Sequence, residues 1–223
     1  MKELTMIQAK SITGGCGHSS KMPWLTYGLS AFDCQTGAQL AKIEGTPCHV
    51  CYAMKDHYAY PSVRQAHLNR LKSLKNHQWV KAMVTLIEKA MVKTTRQDWY
   101  FRWFDSGDLQ SLEHLNKIAK VSRKLPQVTF WLPTQEREMV RQWLATNRKP
   151  GNLVIRYSSP KIGVVPHSRG LHSVVLTKEE YTLLDGIENN RVFLCPSSKQ
   201  DHQCQDCRQC WNTSIKTIGY LKH

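Results

Sequence analysis

Trp99-Tyr-Phe-Arg-Trp-Phe-Asp-Ser-Gly-Asp108 decides the fold: an apolar run stops in a polar turn, and Leu112, Leu115, Ile118 and Ala119 then recur at helical spacing. The unit repeats downstream. Val128-Thr-Phe-Trp-Leu leads into Pro133-Thr-Gln-Glu and a helical stripe of Met139, Val140, Trp143 and Leu144. Leu153-Val-Ile-Arg-Tyr runs into Ser158-Ser-Pro, Ser173-Val-Val-Leu into the capping-box sequence Thr177-Lys-Glu-Glu180, and Val192-Phe-Leu into Cys195. Strand, polar loop and helix in that order predict an α/β fold with a parallel sheet and helical crossovers. Roughly six strands fit the length, so an incomplete (β/α) barrel or an open parallel sheet is expected rather than a full barrel.

In such sheets the chemistry gathers at the carboxyl ends of the strands, where helix N-termini also favour an anionic ligand. By that rule Asp105, Asp108, Thr134, Gln135, Arg156, Ser158 and Cys195 share one face. Asp105 and Asp108, with Arg102 beside them, can serve as acid and base or hold a hydroxyl-rich group; Asp108 can equally cap the helix that follows. Arg102, Asp105, Asp108, Thr134 and Arg156 are therefore candidate catalytic residues, and Ser106, Gly107 and Ser158 candidate cofactor contacts.

Thiols are the second signal. Cys195, Cys204, Cys207 and Cys210 place four sulfurs within sixteen residues, with two consecutive C-x-x-C steps. Thiolates at that spacing suit zinc or iron, and the ligand set alone leaves zinc and a [4Fe-4S] cluster open. Cys34, Cys48 and Cys51, with Cys16 further back, form a looser upstream group. Zinc held by Cys34, Cys48, Cys51 and either Cys16 or His49 is one reading of it.

The chain of 223 residues carries no Gly/Ser/Pro-rich linker and is taken as a single domain, 1–223, with Cys-containing regions at 11–60 and 195–223. Its start lacks a secretory pattern and no long apolar run follows, so a cytoplasmic protein without membrane contact is expected. In that compartment eight cysteines speak for metal rather than disulfides. A formal net charge of +14 points to nucleic acid or a nucleotide as partner, the bland alternative being a basic soluble surface. The excess concentrates from His57 to Gln97, where Glu88 is the only acid against Arg64, Arg70, Lys72, Lys75, Lys81, Lys89, Lys93 and Arg96. Residues 3 to 9 read as an opening strand, and Trp79, Ala82, Met83, Leu86, Ile87, Ala90 and Met91 as the core stripe of a helix. Thr13-Gly-Gly-Cys-Gly-His-Ser-Ser-Lys21 is a glycine loop ending in lysine, without Walker spacing, and Met22 to Cys48 reads as irregular.

Cys48-His-Val-Cys51-Tyr-Ala resembles the closing half of the cysteine motif of radical S-adenosylmethionine enzymes, although Cys34 stands fourteen residues before Cys48, where that motif spans only a few. The resemblance implies a radical-SAM-like fold with Cys-rich metal-binding loops, a [4Fe-4S] cluster on Cys34, Cys48 and Cys51, and S-adenosylmethionine as a candidate cofactor. Ser20-Lys-Met-Pro, Gly45-Thr-Pro-Cys-His-Val-Cys-Tyr-Ala, Phe101-Arg-Trp-Phe-Asp-Ser-Gly-Asp-Leu, Phe130-Trp-Leu-Pro-Thr, Asn152-Leu-Val-Ile-Arg and Cys204-Gln-Asp-Cys-Arg-Gln-Cys-Trp together resemble the phage gene product 88-like family. That likeness implies a bacteriophage or prophage origin and ties the seven cysteines to family motif positions, with Trp24 and Phe104 standing where the family often has Cys and His. Two functions are expected from these readings. One is a phage iron-sulfur enzyme with one or two clusters, acting on nucleic acid or a nucleotide. The other is a zinc-stabilised basic module that binds nucleic acid or a host protein without catalysis.

Overall fold

The computed structural model describes residues 3–94, 98–185, 187 and 191–222, so Arg96 and Gln97 of the basic stretch lie outside the described residues. The chain opens with α1 (Met6–Thr13), not with the strand expected at residues 3 to 9. The reason is a capping box: Gln8 N donates to Thr5 Oγ1 at 3.2 Å, and Thr5 N donates to Gln8 Oε1 at 2.9 Å. Two short strands follow, β1 (Gly17–His18) and β2 (Leu25–Tyr27), the second inside the segment read as irregular. Next come α2 (Gln35–Leu40), α3 (Asp56–Ala59), α4 (Pro61–Ser73) and α5 (Trp79–Val92). Proline opens α4 at a position where its missing N–H costs nothing. The remaining elements are β3 (Trp99–Trp103), α6 (Leu112–Lys124), β4 (Val128–Thr134), α7 (Arg137–Thr146), β5 (Leu153–Ser158), β6 (His172–Leu176), α8 (Lys178–Asp185), β7 (Val192–Leu194) and β8 (Thr217–Leu221).

The eight strands form one sheet in the order β1-β2-β3-β4-β5-β6-β8-β7. Only the β1–β2 pairing is antiparallel. Among the described residues β1 and β7 are the two edges, so the sheet is open, and the expectation of about six strands is corrected to eight. Strand β8 slots between β6 and β7, which makes residues 195–216 a crossover that must leave the end of β7 and return to the start of β8.

Side-chain alternation along the strands divides the sheet into two faces. Phe101, Trp103, Phe130, Leu132, Leu153 and Ile155 are buried against Trp79, Met83, Leu115, Ile118 and Val140 from the helices. The expected α5 stripe is found there, with Trp79, Ala82, Met83, Leu86 and Ile87 buried. The residues between them, Arg102, Trp131 and Arg156, together with Tyr220 of β8, turn to the opposite face. The cysteine-rich crossover covers that face: Trp131, Cys210, Trp211 and Ile218 pack as one cluster. Trp211 Nε1 reaches through to donate to Phe101 O at 2.9 Å.

Candidate metal centres and the strand-end pocket

At the carboxyl end of β3 the chain turns sharply, with Phe104 at φ 52° and Gly107 at φ 73°. Glycine is required at 107 on two counts, the left-handed backbone and the approach to Leu29, whose carbonyl oxygen would lie 2.9 Å from an added Cβ. Leu29 N donates to Ser106 O at 2.8 Å and pins the turn to β2's continuation. Asp108 is thereby buried, and its carboxylate accepts from Thr134 Oγ1 at 2.5 Å, Gln135 N at 2.7 Å and Leu109 N at 2.7 Å. Burial outweighs these donors and pushes Asp108 up to about 7. The capping role weighed for Asp108 falls to Ser111, whose hydroxyl accepts from His114 N at 3.1 Å.

Asp105 points the other way. Tyr58 OH donates to its Oδ2 at 3.4 Å, while Oδ1 is buried without a hydrogen-bond partner, against Gly28. His67 Nε2 borders the same spot, 3.1 Å from where a Gly28 Cβ would stand. Burial lowers the His67 pKa, and the Asp105 charge works against that shift. Tyr52 OH donates to Asp105 O at 2.6 Å and receives Arg102 Nη2 at 3.3 Å. The structure thus gathers Arg102, Asp105, Ser106, Gly107, Asp108 and Thr134 at one strand end. It adds Tyr52, which stands in the Cys48-His-Val-Cys51-Tyr-Ala motif, and Tyr58 and His67, which carry no motif.

The upstream thiols lie beside this pocket. Cys34 precedes α2, and Cys48 and Cys51 sit in the turns after it. A Cβ built on Gly37 of α2 would meet Cys34 Sγ at 2.7 Å and Cys48 Sγ at 3.8 Å, so two sulfurs from distant positions converge on a gap that only glycine leaves open. Glu136 anchors the start of α2, its Oε1 accepting from Thr36 N at 3.1 Å. Burial pushes the Cys34 thiol up to about 12 and Cys48 to about 11, and the Asp108 carboxylate adds to both shifts. Burial also raises Cys51. Cys16 is elsewhere, packed against the helical core, with burial pushing its thiol up to about 12.

Cys195, Cys204, Cys207 and Cys210 come together on the opposite face of the sheet. Cys195 N donates to Gly219 O at 2.8 Å, Cys204 N to Lys21 O at 3.0 Å and Cys207 N to Cys204 O at 2.8 Å, so three of the four are fixed through their own backbone. Cys210 Sγ and Tyr220 OH are 3.1 Å apart. Burial pushes Cys204 up to about 11 and Cys210 up to about 12, the Cys195 charge adds to both, and the Arg102 guanidinium pulls both down. Arg102 therefore touches both surroundings: its far end reaches Tyr52, next to Cys51, and its guanidinium carbon lies 4.7 Å from the Trp131 ring centre under the crossover. Among the described residues, no group of three or more His, Cys, Asp or Glu side chains is drawn in tightly enough to hold a single metal ion.

Two sequence candidates stand apart from the pocket. Arg156 is fully buried, and its guanidinium donates to Cys210 O at 2.8 Å, Ile215 O at 2.9 Å, Gln209 O at 3.2 Å and Asn212 O at 2.6 Å. It clamps the crossover from β5. Ser158 ends β5, where its carbonyl accepts from Arg137 Nη2 at 3.1 Å.

The family model described as Gene product 88 matches residues 4–213. No curated protein and no solved structure matches the chain. No helix among the described residues is long and apolar enough to cross a membrane.

Proposed function

The chain belongs to the Gene product 88 family, with which a bacteriophage origin fits, and from that premise we propose that it is a phage iron-sulfur protein with two thiolate centres. In this reading Cys34, Cys48 and Cys51 hold a [4Fe-4S] cluster with one iron open, and Cys195, Cys204, Cys207 and Cys210 hold a second cluster or a zinc ion. The observation that carries it is the gap at Gly37, where sulfurs fourteen residues apart in sequence approach a single missing Cβ. Seven buried or half-buried thiols, unpaired with one another by disulfides, supply a donor set that soft metal ions match. Metal binding would displace the protons that burial otherwise holds on Cys34, Cys48, Cys51, Cys204 and Cys210.

A cluster held by Cys34, Cys48 and Cys51 would supply electron transfer, and S-adenosylmethionine is the candidate second cofactor on the analogy of the Cys48-His-Val-Cys51 motif. The protein's own part is recognition. Asp105 Oδ1 and Ser106 Oγ are buried without partners and are free to receive a polar ligand. Asp108, poised near neutrality and held by Thr134, can keep or release a proton beside the Cys34 and Cys48 sulfurs. The net charge of +14 favours a nucleotide or nucleic acid as the substrate. The test is electron paramagnetic resonance of dithionite-reduced, oxygen-free protein with and without S-adenosylmethionine. A cluster signal that the cofactor changes in the native chain, and that Cys48→Ser removes, supports the reading; the absence of any cluster signal refutes it.

The Arg156 clamp favours a second reading for the crossover alone. A loop already held by four hydrogen bonds needs a metal only for rigidity, so zinc there would stiffen a basic module whose helices α4 and α5 grip nucleic acid or a host protein. That version is colourless and binds nucleic acid with a steep salt dependence.

A further inference from the structure

The opposite end of the sheet carries a cleft that shares only Cys204 with the proposed thiolate centres. It lies at the amino ends of β2 and β3: Leu25, which opens β2, lines it, and so does Trp24, whose ring centre is 4.9 Å from that of Trp99 at the start of β3. Its volume is about 570 Å³, within the range of small-ligand sites. Lys10 of α1, Lys21 of the glycine loop and Lys93 at the end of α5 reach its rim from three separate elements. Among the described residues no aspartate or glutamate lines it, and none of the three lysines forms an ion pair. Three exposed ammonium groups around one hollow without a carboxylate give it a positive potential that attracts an anion. The floor is apolar, built on Met22, Trp24 and Leu25.

A second hollow of about 630 Å³ lies on the other side of Lys10, lined by Lys72 of α4 with Asn69 and Asn76, and it too has no carboxylate. Lys10 is shared by both. We propose that the cleft walled by Lys10, Lys21 and Lys93 is a binding site for the phosphates of a nucleotide, whose apolar base rests on the Met22–Leu25 floor. The glycine loop Thr13–Lys21 serves the site by bringing Lys21 to the rim, and Cys204, bonded through its N–H to Lys21 O at 3.0 Å, closes the far wall.

The site does not depend on which metal the thiols take, and binding is measured apart from any turnover. Titration of the full chain with ATP, followed by calorimetry, should give saturable binding that Lys10→Glu, Lys21→Glu and Lys93→Glu each weaken about tenfold or more. Lys120→Glu, on the exposed face of α6, changes the net charge equally and should leave the affinity unaltered. Thermal melting of each variant separates lost binding from lost folding. A single strand of about ten thymidylates is the second probe, because such a ligand could run past Lys10 into the neighbouring hollow. If it binds more tightly than ATP and Lys72→Glu weakens it as well, the phosphates belong to a strand and the site stands. Equal losses in the Lys120→Glu control, or no loss in folded Lys21→Glu and Lys93→Glu chains, would overturn the proposal.

Discussion

Arg156 Nη2 donates to Asn212 O at 2.6 Å, one of four bonds by which a buried guanidinium in the sheet holds the crossover between β7 and β8. Arg156→Met keeps the stem's volume and leaves four carbonyls without their charged donor. The expected loss is about 3 kcal/mol or more in denaturant unfolding. Because Gln209, Cys210 and Asn212 are among the residues released, zinc or iron at the crossover should be lost at lower chelator concentration than in the native chain.

Gly37 lies inside α2, where alanine would normally be favoured over glycine by about 1 kcal/mol. Here an added Cβ would stand 2.7 Å from Cys34 Sγ. Gly37→Ala should therefore reduce the metal bound by the upstream thiols while leaving the crossover's metal in place. A chain that gains stability and keeps its full metal content would mean that the gap has no role.

His114 is buried between Trp79 and Phe104, and neither of its ring nitrogens has a hydrogen-bond partner. Burial lowers its pKa from 6.5 to about 3. A histidine depressed on folding binds more protons when unfolded, so its contribution is intact above about 6.5 and is lost as the pH falls toward about 3. Within that window the loss approaches about 1.4 kcal/mol per pH unit. His114→Phe, measured by urea unfolding between pH 7 and about 5, should flatten the slope.

Cys48→Ser and Cys207→Ser belong to different groups, one beside the strand-end pocket and the other in the crossover. Each should remove only part of the bound metal, and the double variant should remove nearly all of it. If either single change empties the protein, the two groups form one centre.

The parallel sheet was legible because β3, β4, β5 and β6 each pair a short apolar run with a polar stop, a pattern that burial on both faces imposes. Strands β1, β2 and β8 were not: the first two span two and three residues, too short for any alternation to register, and β8 follows a loop whose cysteines dominate the local composition. At the N-terminus the capping box of Thr5 and Gln8 makes a helix where residues 3 to 9 were expected to open with a strand. The strand-end carboxylates and Thr134 could be placed together by topology alone. Arg156 was grouped with them by its strand, yet the period of two puts it on the face opposite Ile155, under the crossover. Tyr58 and His67 come from α3 and α4, whose packing against the strand end no local pattern encodes.

Oxygen-free purification followed by iron, acid-labile sulfide and zinc analysis tests the thiolate centres most directly. The account predicts a brown protein with iron and sulfide in about equal amounts, about four of each per chain for one cluster and about eight for two, with zinc filling the crossover in the former case. Protein that folds, binds neither iron nor zinc, and has all eight cysteines free to react once denatured would contradict it.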